Sequence, residues 1–301
     1  MNYKKFVSVL GLCIIIAYIA ASSIAVVEVI QDRLQHNRKC LKDNPEEFDI
    51  NDVTELIFPR STYMPQRDEI ACFVMTKIGN KFARSVIRRT WGKSIKPIFI
   101  MNLTDNNLLK PVKDEAVLFN DMIVVNGSIS TDNEHLFAMK YFTEYFKISE
   151  YFLYVHDDVF INTKNLFNFL NDEIPSNVVV GNFGNILHQS KIMDWMSNIW
   201  NFSFNSYISR PDLSAFIAPG SVTKEMFNKL QKVSPNKNNQ CTLDLLLKRN
   251  FYASKKFFTS KSFVYHPCLV RNNVLVNRIS PSDMLDLWHY TAANSKACNI
   301  F

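Results

Sequence analysis

Short apolar runs alternate with segments of helical periodicity along this 301-residue chain, and the alternation limits the fold more than any other feature. Runs long enough for one buried strand occur at residues 70–75, 97–101, 122–125, 151–155, 177–180 and 262–265. Helical periodicity lies between or after them, at residues 81–91, 134–147, 164–171, 223–232 and 242–249. Because strands that alternate with helices form βαβ units, the pattern predicts an α/β domain with a mostly parallel sheet.

Glycine is scarce, and its positions exclude two common nucleotide-binding motifs. The chain has 7 glycines, about 2% of its residues against a typical ~7%. Neither GxxxxGK nor GxGxxG occurs, so a Walker phosphate loop and the standard dinucleotide fingerprint are excluded. The net charge of +6 is spread along the chain. It suits an anionic ligand or a membrane surface, and we expect no nucleic acid partner.

The N-terminal segment is the most apolar part of the chain. Residues 6–27 form a stretch of 22 residues without a charge, enough for a helix that crosses a bilayer core of roughly 30 Å. Because Lys4 and Lys5 precede it, we expect a cytosolic tail at residues 1–5, a signal-anchor helix at 6–27 and the rest of the chain in the lumen. A signal peptide cleaved near residues 23–25 is the alternative.

The chain beyond this segment divides at about residue 67. Residues 28–66 are charged and interrupted by prolines, which predicts a stem ahead of a domain at 67–301. Glycosylation sequons begin at Asn102, Asn126 and Asn201, which favours lumenal exposure.

Five cysteines follow the apolar segment: Cys40, Cys72, Cys241, Cys268 and Cys298. In an oxidising compartment some of them would pair. The odd number leaves one over, and Cys40 in the stem is the candidate for a free or intermolecular thiol, which would allow a disulfide-linked dimer.

The most informative stretch joins a buried strand to three polar residues. The strand at residues 151–155 runs directly into His156, Asp157 and Asp158. Polar residues at the carboxyl end of a strand lie where open α/β sheets bind ligands. Carboxylates there are hard oxygen ligands for Mg²⁺ or Mn²⁺, and imidazole tolerates Mn²⁺. Taken alone, the same residues also fit an ordinary polar turn.

Other positions could contribute to such a site. Arg84 and Arg88 lie four residues apart on one helix face, where two guanidiniums can hold a diphosphate. Asp244 begins an apolar helix, and His266 follows the strand at 262–265. Each has a plainer explanation when taken singly: a solvated basic face, a carboxylate at a helix N-terminus, or a structural histidine.

In combination these stretches resemble the β-1,3-glycosyltransferases, the family of β-1,3-galactosyl- and N-acetylglucosaminyltransferases that is similar to the Fringe enzymes. The resemblance spans roughly residues 67–270. The family's Arg-x-x-Ile-Arg-x-Thr-Trp motif stands at residues 84–91, and its Asp-x-Asp-Val-Phe-Val-Asn loop is matched by residues 156–162. Its Glu, its Gly-Asp step and its Glu-Asp-Val step are matched more loosely, by Glu115, residues 120–123 and residues 243–245.

This resemblance implies an activity and a location. The expected fold is the GT-A fold, a Rossmann-like α/β domain, at residues 67–301. The expected reaction is an inverting transfer of galactose or an N-acetylhexosamine from a UDP-sugar to the 3-hydroxyl of a glycan acceptor on protein or lipid. The expected location is the Golgi membrane, as a single-pass type II protein anchored by residues 6–27.

The resemblance also implies roles for single residues. Asp158 and His266 would hold Mn²⁺, and Asp244 would be the general base. The donor site would be lined by Arg84, Arg88, Asp157 and His156, the last contacting the metal or the ribose.

Two departures from the family pattern keep other functions open. His156 replaces the first Asp of the Asp-x-Asp motif, and Leu243 replaces the Glu of Glu-Asp-Val. A catalytically impaired relative that binds a nucleotide sugar or glycan, or assists a partner enzyme, is therefore the second hypothesis. An unrelated metal-dependent hydrolase or adhesion domain is the third.

Overall fold

A computed structural model describes residues 54–59, 70–103, 105–126, 134–146, 148–172, 177–183, 211–231, 251–253, 257–259 and 267–292. All of them belong to one compact unit, Pro45–Gly184 together with Arg210–Phe301. A second unit, Met1–Asn44 with Asn185–Ser209, lies outside the described residues.

The described strands form a large and a small sheet. The large sheet contains β1 Thr54–Ile57, β2 Ile70–Met75, β3 Ile98–Leu103, β4 Met122–Asn126, β5 Tyr151–His156, β7 Val179–Phe183, β8 Pro211–Pro219 and β9 Phe251–Ala253. The small sheet contains β6 Phe160–Ile161, β10 Phe257–Thr259 and β11 Leu275–Asn277. Their orders are β1-β4-β3-β2-β5-β8-β7-β9 and β10-β11-β6.

Helices connect or follow these strands. They are α1 Lys81–Arg89, α2 Gly92–Ile95, α3 Leu109–Phe119, α4 Glu134–Tyr145, α5 Thr163–Asp172, α6 Gly220–Gln231, α7 Pro267–Asn272 and α8 Pro281–Ala292. A 3₁₀ turn, Asn106–Leu108, leads into α3.

Strand periodicity sends alternate side chains of the large sheet to two separate cores. In β2, Cys72 and Val74 join one cluster of buried residues, and Phe73 and Met75 join another. The first cluster includes apolar residues of α1, α3, α5 and α8, and the second those of α4 and α6. Both faces of the sheet are therefore covered, which is why its central strands are apolar throughout rather than alternating with polar residues.

The chain reverses its direction of winding between β2 and β5. The neighbours β4, β3, β2 and β5 pair in parallel, and the chain passes from β2 outward through β3 to β4 before it returns to the other side of β2 as β5. In open α/β sheets the ligand crevice lies outside the carboxyl ends of the strands at this switch point. The topology therefore places the carboxyl ends of β2 and β5 at the mouth of the expected site.

The alternation of strands and helices is confirmed, and the sheet is more mixed than predicted. Strand β8 pairs antiparallel with β5 and with β7, and β1 pairs antiparallel with β4. The strand β1 falls in the segment predicted to be a stem, so the sheet begins before residue 67. The strand predicted at 262–265 and the helix predicted at 242–249 lie outside the described residues.

The membrane prediction is corrected. As an α/β domain behind a transmembrane helix, the predicted fold class is wrong, because no helix in the described part of the chain is long and apolar enough to cross a membrane. The single-pass Golgi membrane location is withdrawn with it. Residues 6–27, on which both predictions rested, lie outside the described residues.

The cysteines and the glycosylation sequons of the sequence lie in different environments. Cys72 is a free, buried thiol in β2, and its burial raises its pKa. Asn102 is half-buried within β3, whereas Asn126 is exposed at the end of β4. Cys40, the candidate for a disulfide-linked dimer, lies outside the described residues, so the dimer stays a prediction.

Candidate functional site

The three polar residues that follow β5, which we call the acidic loop (His156, Asp157 and Asp158), lie at the switch point of the sheet. The last residues of β2 and β5, Met75 and His156, are direct partners in the parallel ladder. The backbone N–H of Asp157 donates to the carbonyl of Met75 at 3.1 Å. The acidic loop thus starts beside the loop that follows β2, as its position after a buried strand predicts.

Neutral side chains of the loop between β2 and α1 hold Asp157. The Thr76 hydroxyl donates to Asp157 Oδ2 at 2.5 Å, and the Asn80 amide donates to the same oxygen at 2.7 Å. Neither donor carries a charge, and Asp157 remains only half-buried. The carboxylate is therefore fixed in place with its negative charge uncompensated by these two contacts.

Backbone contacts fix the rest of the acidic loop. The carbonyl of Asp158 accepts a hydrogen bond from the N–H of Ile279 at 2.8 Å. The indole N–H of Trp91 donates to the carbonyl of Val159 at 3.2 Å, and Trp91 is fully buried. The tryptophan of the family motif therefore ties the end of α1 to the residue that follows Asp158.

The sequence around Trp91 explains why the helix ends there. The hydroxyl of Thr90 donates to the carbonyl of Val86, in the last turn of the helix, at 2.8 Å. At Gly92 a Cβ would lie 2.6 Å from the carbonyl oxygen of Ile87, so only glycine fits this close approach. Helix α1 ends at Arg89 and α2 begins at Gly92, and Trp91 between them bonds to the residue that follows the acidic loop.

His156 belongs to the opposite face of the sheet. Strand alternation puts it on the side of Tyr154, toward α4. Its Nε2 lies 3.3 Å from the Tyr154 hydroxyl and 3.8 Å from Glu134 Oε2. The next residue of α4, His135, is buried, and burial together with the charge of His156 lowers its pKa from 6.5 to about 3. Where the family has its first carboxylate, this chain has an imidazole beside a glutamate of α4.

Arg84 and Arg88 form a buried ion-pair cluster with Glu115 and Asp121, which we call the arginine network. Arg84 makes a bidentate contact with Glu115, at 3.0 and 2.7 Å. Arg88 makes one with Asp121, at 2.7 and 2.8 Å, and a third bond to Glu115 at 2.8 Å. The side chains of Arg84 and Glu115 are 1% and 2% exposed. These guanidiniums therefore neutralise carboxylates of the protein itself.

Burial and pairing act in opposite directions on Glu115. Burial would raise the pKa of its carboxyl, but hydrogen bonds and charges from Arg84 and Arg88 outweigh burial and hold the pKa below its ordinary value of 4.5. The pKa of Arg88 is raised although burial opposes this, because Asp121 and Glu115 stabilise its charge. Glu115 and Arg88 are thus ionised throughout the neutral range.

Arg84 also supports the loop that holds Asp157. It donates to the carbonyls of Lys77 and Ile78, at 2.7 and 3.1 Å. These two residues lie between Thr76 and Asn80, the two donors to Asp157. The motif arginine therefore acts on the acidic loop through the backbone of a second loop.

The structure brings together only part of the predicted site. His156, Asp157 and Asp158 share one loop, with Arg84 and Arg88 behind it in the arginine network. Asp244 and His266 lie outside the described residues, so their roles stay predictions. Sequence reasoning missed the partners Thr76, Asn80 and Glu134, whose signal was their position: two follow β2, and one begins α4.

The acidic loop can supply carboxylates to a metal site that substrate phosphates complete. Within the described ranges, no group of three or more His, Cys, Asp or Glu residues is placed to hold a metal ion. Mg²⁺-type sites that rely on substrate phosphates need only one or two protein carboxylates, and the acidic loop supplies such carboxylates. The residues present therefore fit a cation that arrives with a phosphorylated ligand.

The fold and this loop define an open α/β protein with an acidic loop at its switch point. The sequence model of the family described as Galactosyltransferase matches residues 82–246, more than half of the chain. The chain belongs to this galactosyltransferase family.

A named relative supports the same family. Over 185 residues the chain is 21% identical to the beta-1,3-galactosyltransferase brn of Drosophila melanogaster, and the alignment covers 56% of this chain and 57% of that protein. The chain therefore matches little more than half the length of this relative.

Two solved structures are weakly similar to the chain. One is a 4-diphosphocytidyl-2C-methyl-D-erythritol synthase from Anaerococcus prevotii, with a TM-score of 0.41 and 11% identity, covering 77% of this chain and 99% of that one. The other is the glycosyltransferase GlyE of Streptococcus pneumoniae, with a TM-score of 0.37 and 9% identity, covering 75% of this chain and 60% of that one. Scores this low leave the fold to be argued from the strand order itself.

Proposed function

We propose that this chain is an inverting glycosyltransferase that moves a hexose from a UDP-sugar to a hydroxyl of a glycan acceptor. The observation that carries the proposal is the acidic loop at the β2–β5 switch point of a galactosyltransferase-family chain. The proposed sugar is galactose or an N-acetylhexosamine, and the proposed acceptor position is the 3-hydroxyl, in keeping with the name of the Drosophila relative.

Asp158 is the proposed ligand of a divalent cation, and the proposed cation is Mn²⁺. His266, outside the described residues, is the proposed second ligand. When bound with the donor, the cation would act as a Lewis acid that stabilises the negative charge developing on the UDP leaving group. The bonds from Ile279 and Trp91 to backbone carbonyls of the loop fix the chain around Asp158, which supports this role.

Asp157 and His156 are proposed to position the donor. Asp157 is fixed by Thr76 and Asn80, so it can accept a hydrogen bond from a donor hydroxyl without reorganising. His156, at the α4 side of the crevice, is the proposed contact for the ribose. Arg84 and Arg88 contribute through the arginine network, because Arg84 holds the loop that carries Asn80.

Asp244 is the proposed general base. An acceptor hydroxyl is a poor nucleophile at neutral pH, and a carboxylate within hydrogen-bond reach can take its proton as the new C–O bond forms. Attack from the face opposite UDP inverts the anomeric carbon and gives a β-linkage from an α-linked donor.

The test compares two variants in the full-length protein. Asp244→Asn removes the base and Asp158→Ala the proposed metal ligand, and each should lower the turnover of a UDP-sugar by at least ~10²-fold. Asp114→Asn, an exposed aspartate on α3, is the matched control and should leave turnover unchanged. Near-wild-type turnover in either site variant, with the protein folded, would contradict the assigned roles.

A catalytically impaired relative is the second candidate. It is favoured by one observation: His156 replaces the first carboxylate of the loop and lies beside Tyr154 and Glu134. Such a protein would bind UDP but would neither transfer nor hydrolyse any UDP-sugar, which the same turnover measurement detects.

A further inference from the structure

The diphosphate of a nucleotide sugar needs cationic partners, and the motif arginines are already engaged elsewhere. Arg84 and Arg88 each pair with carboxylates of the protein, at distances of 3.0 Å or less. To bind a phosphate they would have to give up these buried ion pairs, which is costly. Another arginine, Arg278, lies in the turn between β11 and α8.

This turn is attached to the acidic loop on two sides. Strand β11 pairs antiparallel with β6, the strand that follows the loop, with Val276 opposite Phe160. The N–H of Ile279 donates to the carbonyl of Asp158 at 2.8 Å. The residue between β11 and Ile279 is Arg278, so its backbone lies one residue from a direct bond to the proposed metal ligand.

A third contact fixes the turn against the large sheet. The buried side chain of Asn277 donates to the hydroxyl of Ser214 at 2.7 Å. Ser214 lies in β8 next to Ala215, whose partner across the ladder is Val155 of β5. Arg278 is therefore held between two anchored neighbours, Asn277 and Ile279, at the carboxyl end of β5.

The backbone of Arg278 adopts a conformation that its residue type disfavours. Its φ is 62°, in the left-handed region, where a side chain with a Cβ is disfavoured and glycine or asparagine is preferred. The side chain is exposed, and it pairs with no carboxylate among the described residues. A strained, exposed arginine beside an acidic ligand loop is an arrangement in which the guanidinium itself has a function.

We propose that Arg278 binds the diphosphate of the nucleotide-sugar donor. This inference rests on the proposed function and names the residue that recognises the anionic part of the same ligand. The planar guanidinium matches the paired oxygens of a phosphate. Asp158 and Arg278 thus approach the diphosphate from adjacent positions, one through a cation and the other directly.

The experiment measures the dissociation constants of UDP and of uridine for the full-length protein, with Mn²⁺ present, by ligand-observed NMR titration. Arg278→Gly removes the guanidinium while glycine adopts the left-handed backbone without strain, so the melting temperature should hold or rise. We expect this variant to weaken UDP binding by at least ~10-fold and to leave uridine binding unchanged. Arg278→Lys should bind UDP with an affinity between those of the wild type and Arg278→Gly.

Matched controls locate the effect. Arg89→Ala removes another exposed arginine, one whose side chain bonds only to the carbonyl of Ser85 among the described contacts, and should change neither constant. Lys77→Ala removes an exposed cation from the β2 side of the crevice. If Lys77→Ala, and not Arg278→Gly, lowers the preference for UDP over uridine, the assignment to Arg278 is wrong.

The remaining outcomes also decide. An equal loss of UDP and uridine binding in Arg278→Gly would show that the residue shapes the site rather than reading the diphosphate, which overturns the proposal. If the wild-type protein bound neither ligand, the proposed function itself would fail. If it bound both with equal affinity, the diphosphate would not be recognised, and the cation site at Asp158 would fail together with the inference on Arg278. If it preferred UDP and Arg278→Gly kept that preference, only the inference on Arg278 would fail.

Discussion

The arginine network and the acidic loop are both built from motif residues, yet their charges are treated in opposite ways. In the network each guanidinium meets a carboxylate, and the side chains are 12% exposed or less. In the acidic loop Asp157 meets a hydroxyl and an amide, and both aspartates are half-buried. Charges neutralised within the protein serve the fold, whereas a fixed carboxylate with neutral partners keeps its capacity for a cationic or hydroxyl ligand.

The largest expected effect comes from breaking the arginine network. Arg84→Ala leaves Glu115 buried with an incomplete set of partners, which should lower the free energy of unfolding by about 3–5 kcal/mol. Urea denaturation of the full-length protein measures it. Arg89→Ala, on the exposed face of the same helix, should stay within about 0.5 kcal/mol of wild type.

One result for Arg84→Ala would reverse the roles assigned to the arginine network and the acidic loop. If the variant kept its stability but lost UDP affinity, Arg84 would be a donor ligand and the network a secondary feature. The opposite pattern, in which stability falls first, is the one that the buried ion pairs predict.

Sequence reasoning found the acidic loop because its signal is local, whereas the arginine network depends on distant partners. A strand that runs into His156-Asp157-Asp158 is visible within a few residues. Glu115 lies 31 positions from Arg84, and Asp121 lies 33 positions from Arg88. Without the fold, two arginines on one helix face suggested a phosphate ligand.

Among the elements that escaped prediction, α3 and β8 did so for physical reasons that can be named. Pro111 discourages a helical interpretation of α3, but it stands in the first turn, where the missing N–H has no helical partner to lose. Strand β8 is apolar only at its centre, and it runs antiparallel to its neighbour β5 in the sheet. No local sequence pattern reveals this pairing. The pairing that makes the sheet mixed is a tertiary property.

The acidic loop and the arginine network should also differ in how acid affects the stability of the protein. His135, beside the acidic loop, has a pKa lowered from 6.5 to about 3, so the unfolded chain binds its proton more readily and stability falls as the pH drops through this range. At about 1.4 kcal/mol per pH unit, the loss reaches about 3 kcal/mol by pH 4. Glu115, with a pKa below 4.5, loses its stabilising charge only under more acidic conditions.

His135→Leu should remove most of the acid sensitivity above pH 4.5. The measurement is the difference in free energy of unfolding between pH 7 and pH 4.5, in wild type and variant. His289→Gln, which changes an exposed histidine of α8, is the control and should behave as wild type. An unchanged pH dependence in His135→Leu would place the acid-sensitive group elsewhere.

Trp91→Phe tests the link between the two regions. The substitution keeps an aromatic ring in the core but leaves the buried carbonyl of Val159 without its indole donor. We expect a loss of about 1–2 kcal/mol in unfolding free energy and a measurable fall in UDP affinity, because the loop that holds Asp158 loosens. A loss of stability with unchanged UDP affinity would show that the indole supports the core alone.

The smallest effect concerns the positioning of Asp157. Asn80→Ala removes one of its two neutral donors from an exposed residue. Unfolding free energy should stay within about 0.5 kcal/mol of wild type, while UDP affinity should fall roughly 5-fold, the loss of about 1 kcal/mol in one hydrogen bond. If affinity does not change, Asp157 does not contact the donor through this arrangement.

The most direct test of the central claim is a calorimetric titration of the full-length protein with UDP, first with Mn²⁺ and then with EDTA, in wild type, Asp158→Ala and Arg88→Ala. The account predicts metal-dependent binding in wild type, no binding in a folded Asp158→Ala, and retained binding in whatever fraction of Arg88→Ala is folded. Metal-dependent binding that survives in Asp158→Ala and disappears in folded Arg88→Ala would contradict it, because the acidic loop would then serve the fold and the arginine network the ligand.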